Sequence, residues 1–565
     1  MYDCAITGGS LIDGTGIDRR RADIGIRGGV IVAVGELDEP ASRTIDADGL
    51  IVAPGFIDPH THLDAQVFWD PDVSPLAQHG VTTIIGGHCG FSIAPVAPDH
   101  ADYLMRLLSR VEEIPLETVQ QGVDWGSWQS FGQFLDRLDR TTAVNVGFMA
   151  GHSAIRRCVM GDAAVGGSPN EDQMQAMERL LGESLAGGAL GLSSSDGKVD
   201  MDGNGQPVPS RWADEDELLR LCRVLQGFPG TTIEYLPKDL RVGDQAERMT
   251  KMALAANRSL IWNLFHVRAG LEEVVRNDLA ASDYAAARGA RVVALGLPGA
   301  MRLHLTFSVG SILEAQPGWD AVRFSLPHAE RIKAFSDPAV RQRLREGAAE
   351  VALTVEVSDF ASYIVEEVFA DANQRHLGRA VGDIARERGA DPLDTLLDIA
   401  LADDLRTLFA PCALGADEES WRQRAQTYAD PRVLVGGTDA GAHLTLIDTF
   451  ILSTELVGPI ARDRQLITLE AAVRKLTAEP AEFLGLRRRG IVAPGYNADI
   501  VVFDADRIGP ATAGFRSDLP AGARRLYAEA LGIEHVLVNG REIVRGNRFT
   551  GERPGRALRS GQDTQ

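Results

Sequence analysis

Eight short apolar runs, spaced by helix-like or turn-rich sequence, constrain this chain more than any other feature. They are "LIVAPGFID", "VTTIIGGHCG", "AVNVGFMAGH", "GALGLSSS", "TTIEYLP", "SLIWNLFHV", "RVVALGLP" and, after a long gap, "PRVLVGGTDAG". Each has strand length and is rich in branched aliphatic residues, the pattern of a buried strand. Helical signals lie between several of them. In "NEDQMQAMERLLGESLAGG", Asn170 stands where a cap is needed and glycine follows the last turn. Strands alternating with helices predict an α/β fold, a (β/α)8 barrel of the TIM type.

Reactive side chains recur where these runs end, which is where such barrels keep their active sites. His60, His62, Cys89, His152, Ser193 to Ser195, Glu234 and Asp439 all fall there. In "GFIDPHTHLD" two histidines are spaced by one residue, and positions i and i+2 of a strand face the same way. Two imidazoles on one face fill a core poorly but begin a metal site well. By the same alternation His88, beside Cys89, is expected to face away, in a structural role or behind the ligands. Metal-assisted hydrolysis needs one or two cations held by His, Asp, Glu or Cys, plus a carboxylate to move a proton. His60, His62 and Asp439 supply that minimum.

The ends of the chain read differently. Residues 1–52 and 487–550 are short strands joined by Gly and Asp turns, as in "RADIGIRGGVIVAVGE" and "IEHVLVNGREIVRGNR". They are expected to form two halves of one small β-sandwich domain around the barrel at 53–486, followed by a polar tail at 551–565. The stretch at about 300–430 is too long for a loop and carries helical sequence such as "DPLDTLLDIALADDL". It is expected to be an inserted helical subdomain between strands seven and eight, near the barrel mouth.

The 565-residue chain carries a net charge of −22, which argues against a nucleic-acid partner, and no apolar stretch is long enough for a membrane span. The first residues lack the charged and apolar regions of a signal peptide and are expected to be mature structure. Five scattered cysteines, Cys4, Cys89, Cys158, Cys222 and Cys412, suit a reducing cytoplasm. Glycine pairs such as "GGH" are followed by no P-loop lysine, so nucleotide binding is not expected.

"PGFIDPHTH" after a small β segment, with "GGTDAGAH" on the last strand, resembles the amidohydrolase superfamily. "GGHCGFSIAPV", "GHSAIRRCVMG" and "VLVNGREIVRGNRFTGERPGRALR" are similar to the N-acyl-D-amino-acid deacylase (D-aminoacylase) group, in order along nearly the whole chain. The resemblance implies zinc, as one or two divalent ions, with His60 and His62 as ligands, Cys89 ligating or bridging, and Asp439 at the metal as proton shuttle. His152 is implied as a substrate contact. The implied reaction is hydrolysis of a C–N amide bond in a small molecule, an N-acyl (D-)amino acid or related amide, by metal-bound hydroxide.

Two positions depart from that pattern. The group has a histidine ligand at the end of strand five, where this chain offers Glu234, and another after strand six, where it offers Asn263 or His266. A carboxylate ligates zinc, so Glu234 is expected at the metal. Asn263, His266, Arg268 and His443 are expected to contact substrate. One alternative is a ring-opening hydrolase of cyclic amides or imides, of the dihydroorotase or hydantoinase kind. It would want a lysine at the end of strand four, and Lys198 lies too far along. The other is a non-catalytic amidohydrolase-like scaffold. Barrels of this kind often pair, so a homo-oligomer is compatible with the reading.

Overall fold

The first apolar run is two strands and not one. Ile51–Pro54 joins a sheet built from both ends of the chain, whereas Phe56–Asp58 (β1) opens the central parallel array. Gly55 marks the break, where a Cβ would collide with Thr82. The computed structural model describes residues 1–238, 245–308, 313, 317–323, 326–349 and 355–565.

β1 pairs with Val81–Gly86 (β2), which pairs with Asn145–Phe148 (β3), all parallel. Met149 interrupts the ladder. Ala150–Gly151 then opens a second parallel sheet through Gly191–Ser195 (β4), Thr232–Leu236 (β5), Leu260–Phe265 (β6), Val292–Gly296 (β7) and Val433–Val435 (β8). Parallel strands buried on both faces need continuous apolar sequence, and β2, β3, β4 and β7 are buried at every position. Ile57, Ile85, Met149, Ile261, Val293 and Leu434 come from six of these runs and share one buried cluster. Each such side chain contributes roughly 1.5–3 kcal/mol of burial. Beyond β8, the Asp439 N–H donates to the His60 carbonyl at 3.2 Å and the His62 N–H to the Ala440 carbonyl at 2.7 Å. The exit of the last strand is thereby laced to the exit of the first.

The helices follow local sequence. Glu171–Ala186 starts at a reciprocal cap: the Asn170 side chain accepts from the Gln173 N–H, and the Gln173 side chain from the Asn170 N–H, both at 2.9 Å. Gly187 follows its last turn.

The terminal strands interleave. In one seven-stranded sheet, Arg548–Phe549, Arg541–Arg545, Ile533–Val538 and Ile500–Phe503 continue directly into Ile51–Pro54, Ser10–Leu11 and Arg20–Arg21. A four-stranded sheet of N-terminal strands shares a core with it, in which Ile6, Ile24 and Val52 meet Ile500, Val502 and Leu537. The last residues, 551–565, are docked and not a loose polar tail. Leu558 is fully buried, the Leu558 N–H donates to the Val146 carbonyl at 2.8 Å, and the Gln565 N–H to the Gly485 carbonyl at 3.0 Å.

Two compact units divide the chain. The first is Met1–Gly299, Glu419–Ala442 and Thr449–Gln565; the second is Ala300–Glu418 with His443–Asp448. The second unit has its own core, including Phe307, Trp319, Phe335, Tyr363 and Leu397. It contains the helix Pro392–Ala402, capped by Asp391, and the pair His328–Ser336 and Pro338–Ala349. The sequence of that pair reads as one helical stretch, but Pro338 lacks the N–H to continue the first helix and starts the second. Among the described residues no helix is long and apolar enough to cross a membrane.

Candidate metal centre

The strand exits of the first unit bring six of the expected residues together. His60 and His62 follow β1, held by Thr61, whose N–H and hydroxyl both donate to the Ile85 carbonyl at 2.9 Å. Asp439 presents Oδ1 3.3 Å from His60 Nε2 and 3.1 Å from His62 Nε2. Cys89 Sγ lies 3.9 Å from His60 Nε2 and 3.8 Å from Glu234 Oε1. Asn263 donates from Nδ2 to the same sulfur at 3.5 Å. Two donor groups, His60–His62–Cys89 and His60–His88–Glu234, each have their ligand atoms within 4.8 Å of one another, all buried.

The loop after β2 places Cys89. Gly87 at φ 74°, Cys89 at φ 54° and Gly90 at φ 77° turn the chain back over the strand ends. At Gly87 a Cβ would run into the Met149 backbone, so the position requires glycine. Ser193, from β4, clamps the loop: its hydroxyl donates to the Gly87 carbonyl and accepts from the Gly90 N–H. The Cys89 N–H donates to Glu234 Oε2 at 2.8 Å.

Charge and burial compete here. Burial pushes the Glu234 carboxyl up to about 7 and, with Glu234 beside it, lifts the Cys89 thiol well above its ordinary value. Burial also opposes charge on Asp439, but His62 and His60 hold its carboxyl well below the usual range. For His62 burial is outweighed by Glu112 and Asp439, which raise it well above an ordinary imidazole. Burial, then the neighbouring His88, lowers His60.

The donor set suits a divalent cation. Among the described residues, Asn263 Oδ1, His60 Nδ1 and both nitrogens of His88 are buried without a well-formed hydrogen bond. Each such atom costs about 1–3 kcal/mol if left unsatisfied. Imidazole, carboxylate and thiol converging in one buried space is the ligand chemistry of zinc.

Three residues here have roles that sequence reasoning did not assign. Glu112, just past the helix Ala101–Val111, puts Oε1 2.9 Å from His62 Nδ1, an ion-pair distance without the alignment of a full hydrogen bond. A carboxylate behind a ligating imidazole orients it and raises its basicity. Asp58 accepts from the Thr438 N–H and hydroxyl and from the His60 N–H, tying the Asp439 turn to β1. Burial raises Asp58 to about 6. His88, expected to face away, stacks on His60 with ring centroids 4.2 Å apart and planes 19° apart. Burial lowers it to about 3.

The remaining expected contacts lie elsewhere. His152 is fully buried with both nitrogens engaged, Nδ1 with the Ser194 hydroxyl and Nε2 with Glu217 Oε1, each at 2.9 Å. Neither nitrogen is left for the substrate contact expected of it. His266 and Arg268 are half-buried beyond β6 and enter neither donor group; burial and Arg268 lower His266 to about 4. Asn263, not His266, therefore occupies the slot beside Cys89. His443 belongs to the second unit, where the Leu446 N–H donates to its carbonyl at 2.8 Å.

The amidohydrolase family model matches residues 43–544, and the chain belongs to the amidohydrolase family. It is 30% identical to the D-aminoacylase of Alcaligenes xylosoxydans xylosoxydans, over 99% of this chain and 97% of that one. Among solved structures, a D-aminoacylase studied for its binuclear metal centre matches with a TM-score of 0.67 at 25% identity, over 99% of this chain and 100% of the other. An N-acyl-D-glutamate deacylase from Bordetella bronchiseptica, complexed with zinc and a phosphonate inhibitor that mimics the tetrahedral intermediate, matches with a TM-score of 0.66 at 27% identity and the same coverage.

Proposed function

We propose that the chain hydrolyses the amide bond of a small N-acyl amino acid, of the D series, at the centre built on His60, His62 and Asp439. The carrying observation is Asp439 Oδ1 within 3.3 Å of both imidazoles. The named activities of its deacylase relatives support that substrate class. We read the parallel strands as a closed (β/α)8 barrel, its seam at the His60–Asp439 and His62–Ala440 hydrogen bonds, with a β-sandwich made by both termini.

His60, His62, Cys89, Glu234 and Asp439 would hold a divalent ion, zinc by the donor set. When bound, that ion supplies a Lewis acid that acidifies water and polarises a carbonyl. Asp439 remains ionised beside the imidazoles, and its side chain is 35% exposed, so its second oxygen can take a proton from water and return it to the leaving nitrogen. Asn263 holds the Cys89 sulfur from one side while Glu234 holds the Cys89 N–H. Hydrogen bonds between Asp58 and Thr438 keep Asp439 from turning away.

A ring-opening reaction finds no support at the end of β4. Ser193, Ser194 and Ser195 are buried there, and Lys198 is exposed. Product analysis separates the two chemistries. A panel of N-acetyl and N-formyl amino acids in both configurations, with hydantoins alongside, is expected to yield a free amino acid and a carboxylic acid from the D series. Turnover confined to the cyclic substrates, with one ring-opened product, would overturn the assignment.

A further inference from the structure

We propose that the second unit binds a phosphate dianion, free or as a small phosphate monoester, between the guanidinium groups of Arg375 and Arg388. Both arginines belong to that unit, so the proposal stands apart from the metal centre.

His376 organises the place. It ends the short helical stretch Asp371–His376 and is 3% exposed, and its Nε2 accepts from Arg375 Nε at 3.2 Å and from Arg388 Nη2 at 2.7 Å. An accepting nitrogen carries no proton, so the ring is neutral with its hydrogen on Nδ1. Nδ1 itself is buried without a well-formed hydrogen bond. Burial, then the neighbouring Arg388 and Arg375, lowers His376 below an ordinary imidazole, with Glu387 opposing. Two guanidinium groups that keep their charge at any working pH thus meet at one neutral atom.

The carboxylates nearby go elsewhere. Glu387 takes Arg379 at 2.5 Å and Asp383 takes Arg386 at 2.9 Å, and among the described residues neither Arg375 nor Arg388 pairs with a carboxylate. The chain has 79 acidic residues against 57 lysines and arginines, so an acidic partner is not scarce. If the arrangement served local structure alone, one arginine would satisfy the imidazole nitrogen, and a second only adds repulsion. Arg388 stands in the last turn of the helix Val381–Arg388, where a cation suits the helix end. Its guanidinium nevertheless turns to His376 and, among the described residues, donates to none of that helix's carbonyls.

Charge selects the ligand. Both arginines are exposed, and each commits one N–H to the imidazole, which leaves the rest of its fork open to a solute. Such a fork grips carboxylate and phosphate alike. A carboxylate neutralises one cation, whereas a phosphate monoester, with a second pKa of about 6, carries nearly two charges at neutral pH. Leu377, the next residue in the chain, is 52% exposed and offers an ester's organic group an apolar neighbour.

The test uses the full chain with inorganic phosphate and phenyl phosphate as probes, and sodium acetate at matched ionic strength as the control. A metal centre also attracts phosphate, so hydrogen exchange locates the binding. At least one probe should slow exchange across residues 371–389, and calorimetry should find a binding event that weakens about 10–100-fold in Arg375→Gln and about as much again when Arg388→Gln is added. That is the loss of one hydrogen bond to a charged group at each step. Zinc content should stay as in wild type. Tighter binding of phenyl phosphate identifies a monoester as the ligand, and tighter binding of inorganic phosphate identifies the free ion. Exchange across 371–389 that neither probe slows would overturn the proposal, as would protection matched by acetate or kept at full strength in the double variant. Should the double variant fail to fold by circular dichroism, the wild type decides: protection of 371–389 by phosphate and not by acetate supports the site, and equal protection refutes it.

Discussion

Glu112→Gln isolates the carboxylate behind His62 while leaving its volume in place. Glu112 Oε1 stands 2.9 Å from His62 Nδ1, with both side chains 4% exposed, so the contact is little screened by water. The contact is an ion pair and not an aligned hydrogen bond, so the substitution removes its charge alone, on the order of 1.4 kcal/mol from the orientation and basicity of His62. That corresponds to about a tenfold loss of zinc affinity, the low end of the 10–100-fold measured for such partners. Competition against a chromophoric chelator reads it directly. The variant should also recover most of its turnover in excess zinc, because Glu112 holds a ligand and touches no substrate. Zinc affinity within twofold of wild type would refute the reasoning, as would lost turnover that no zinc concentration restores.

Asp439→Asn keeps the shape of the proton carrier without its basicity; kcat should fall by about 10²–10⁴-fold with the fold intact by circular dichroism. Gly87→Ala adds a Cβ against the Met149 backbone at φ 74°, and a loss of about 1–3 kcal/mol in chemical denaturation is expected, with weaker zinc binding as Cys89 shifts. In the second unit, burial opposes charge on His304, but Asp448 and Glu366 raise it to about 9. A raised imidazole stabilises fully below its unfolded value of about 6.5 and loses that contribution as pH rises through about 9. The interval, at 1.36 kcal/mol per pH unit, amounts to about 3 kcal/mol at most. Hydrogen-exchange protection factors, which correct for the intrinsic base-catalysed rate, should fall in residues 300–308 and 360–410 over that pH range in wild type and much less in His304→Gln.

The strand runs and the His60–His62 pair were legible because both rest on strict local rules: buried parallel strands need continuous apolar sequence, and alternation puts i and i+2 on one face. The same rule misplaced His88. Alternation holds only in extended backbone, and the positive φ values at Gly87, Cys89 and Gly90 end it there. The break at Gly55 was hidden for a related reason, since both halves of "LIVAPGFID" are apolar and only pairing tells them apart. Glu112 carried no signal because its role depends on a partner fifty positions away in the chain. His152 resembled a site residue by its motif, but Ser194 and Glu217 take up both its nitrogens.

The most direct test of the account is turnover of an N-acyl-D-amino acid by the purified chain before and after removal of metal by a chelator, followed by zinc titration. The account predicts that activity disappears with the metal and returns as zinc is added, in step with binding. Full activity in a chain from which elemental analysis finds the metal gone would contradict it.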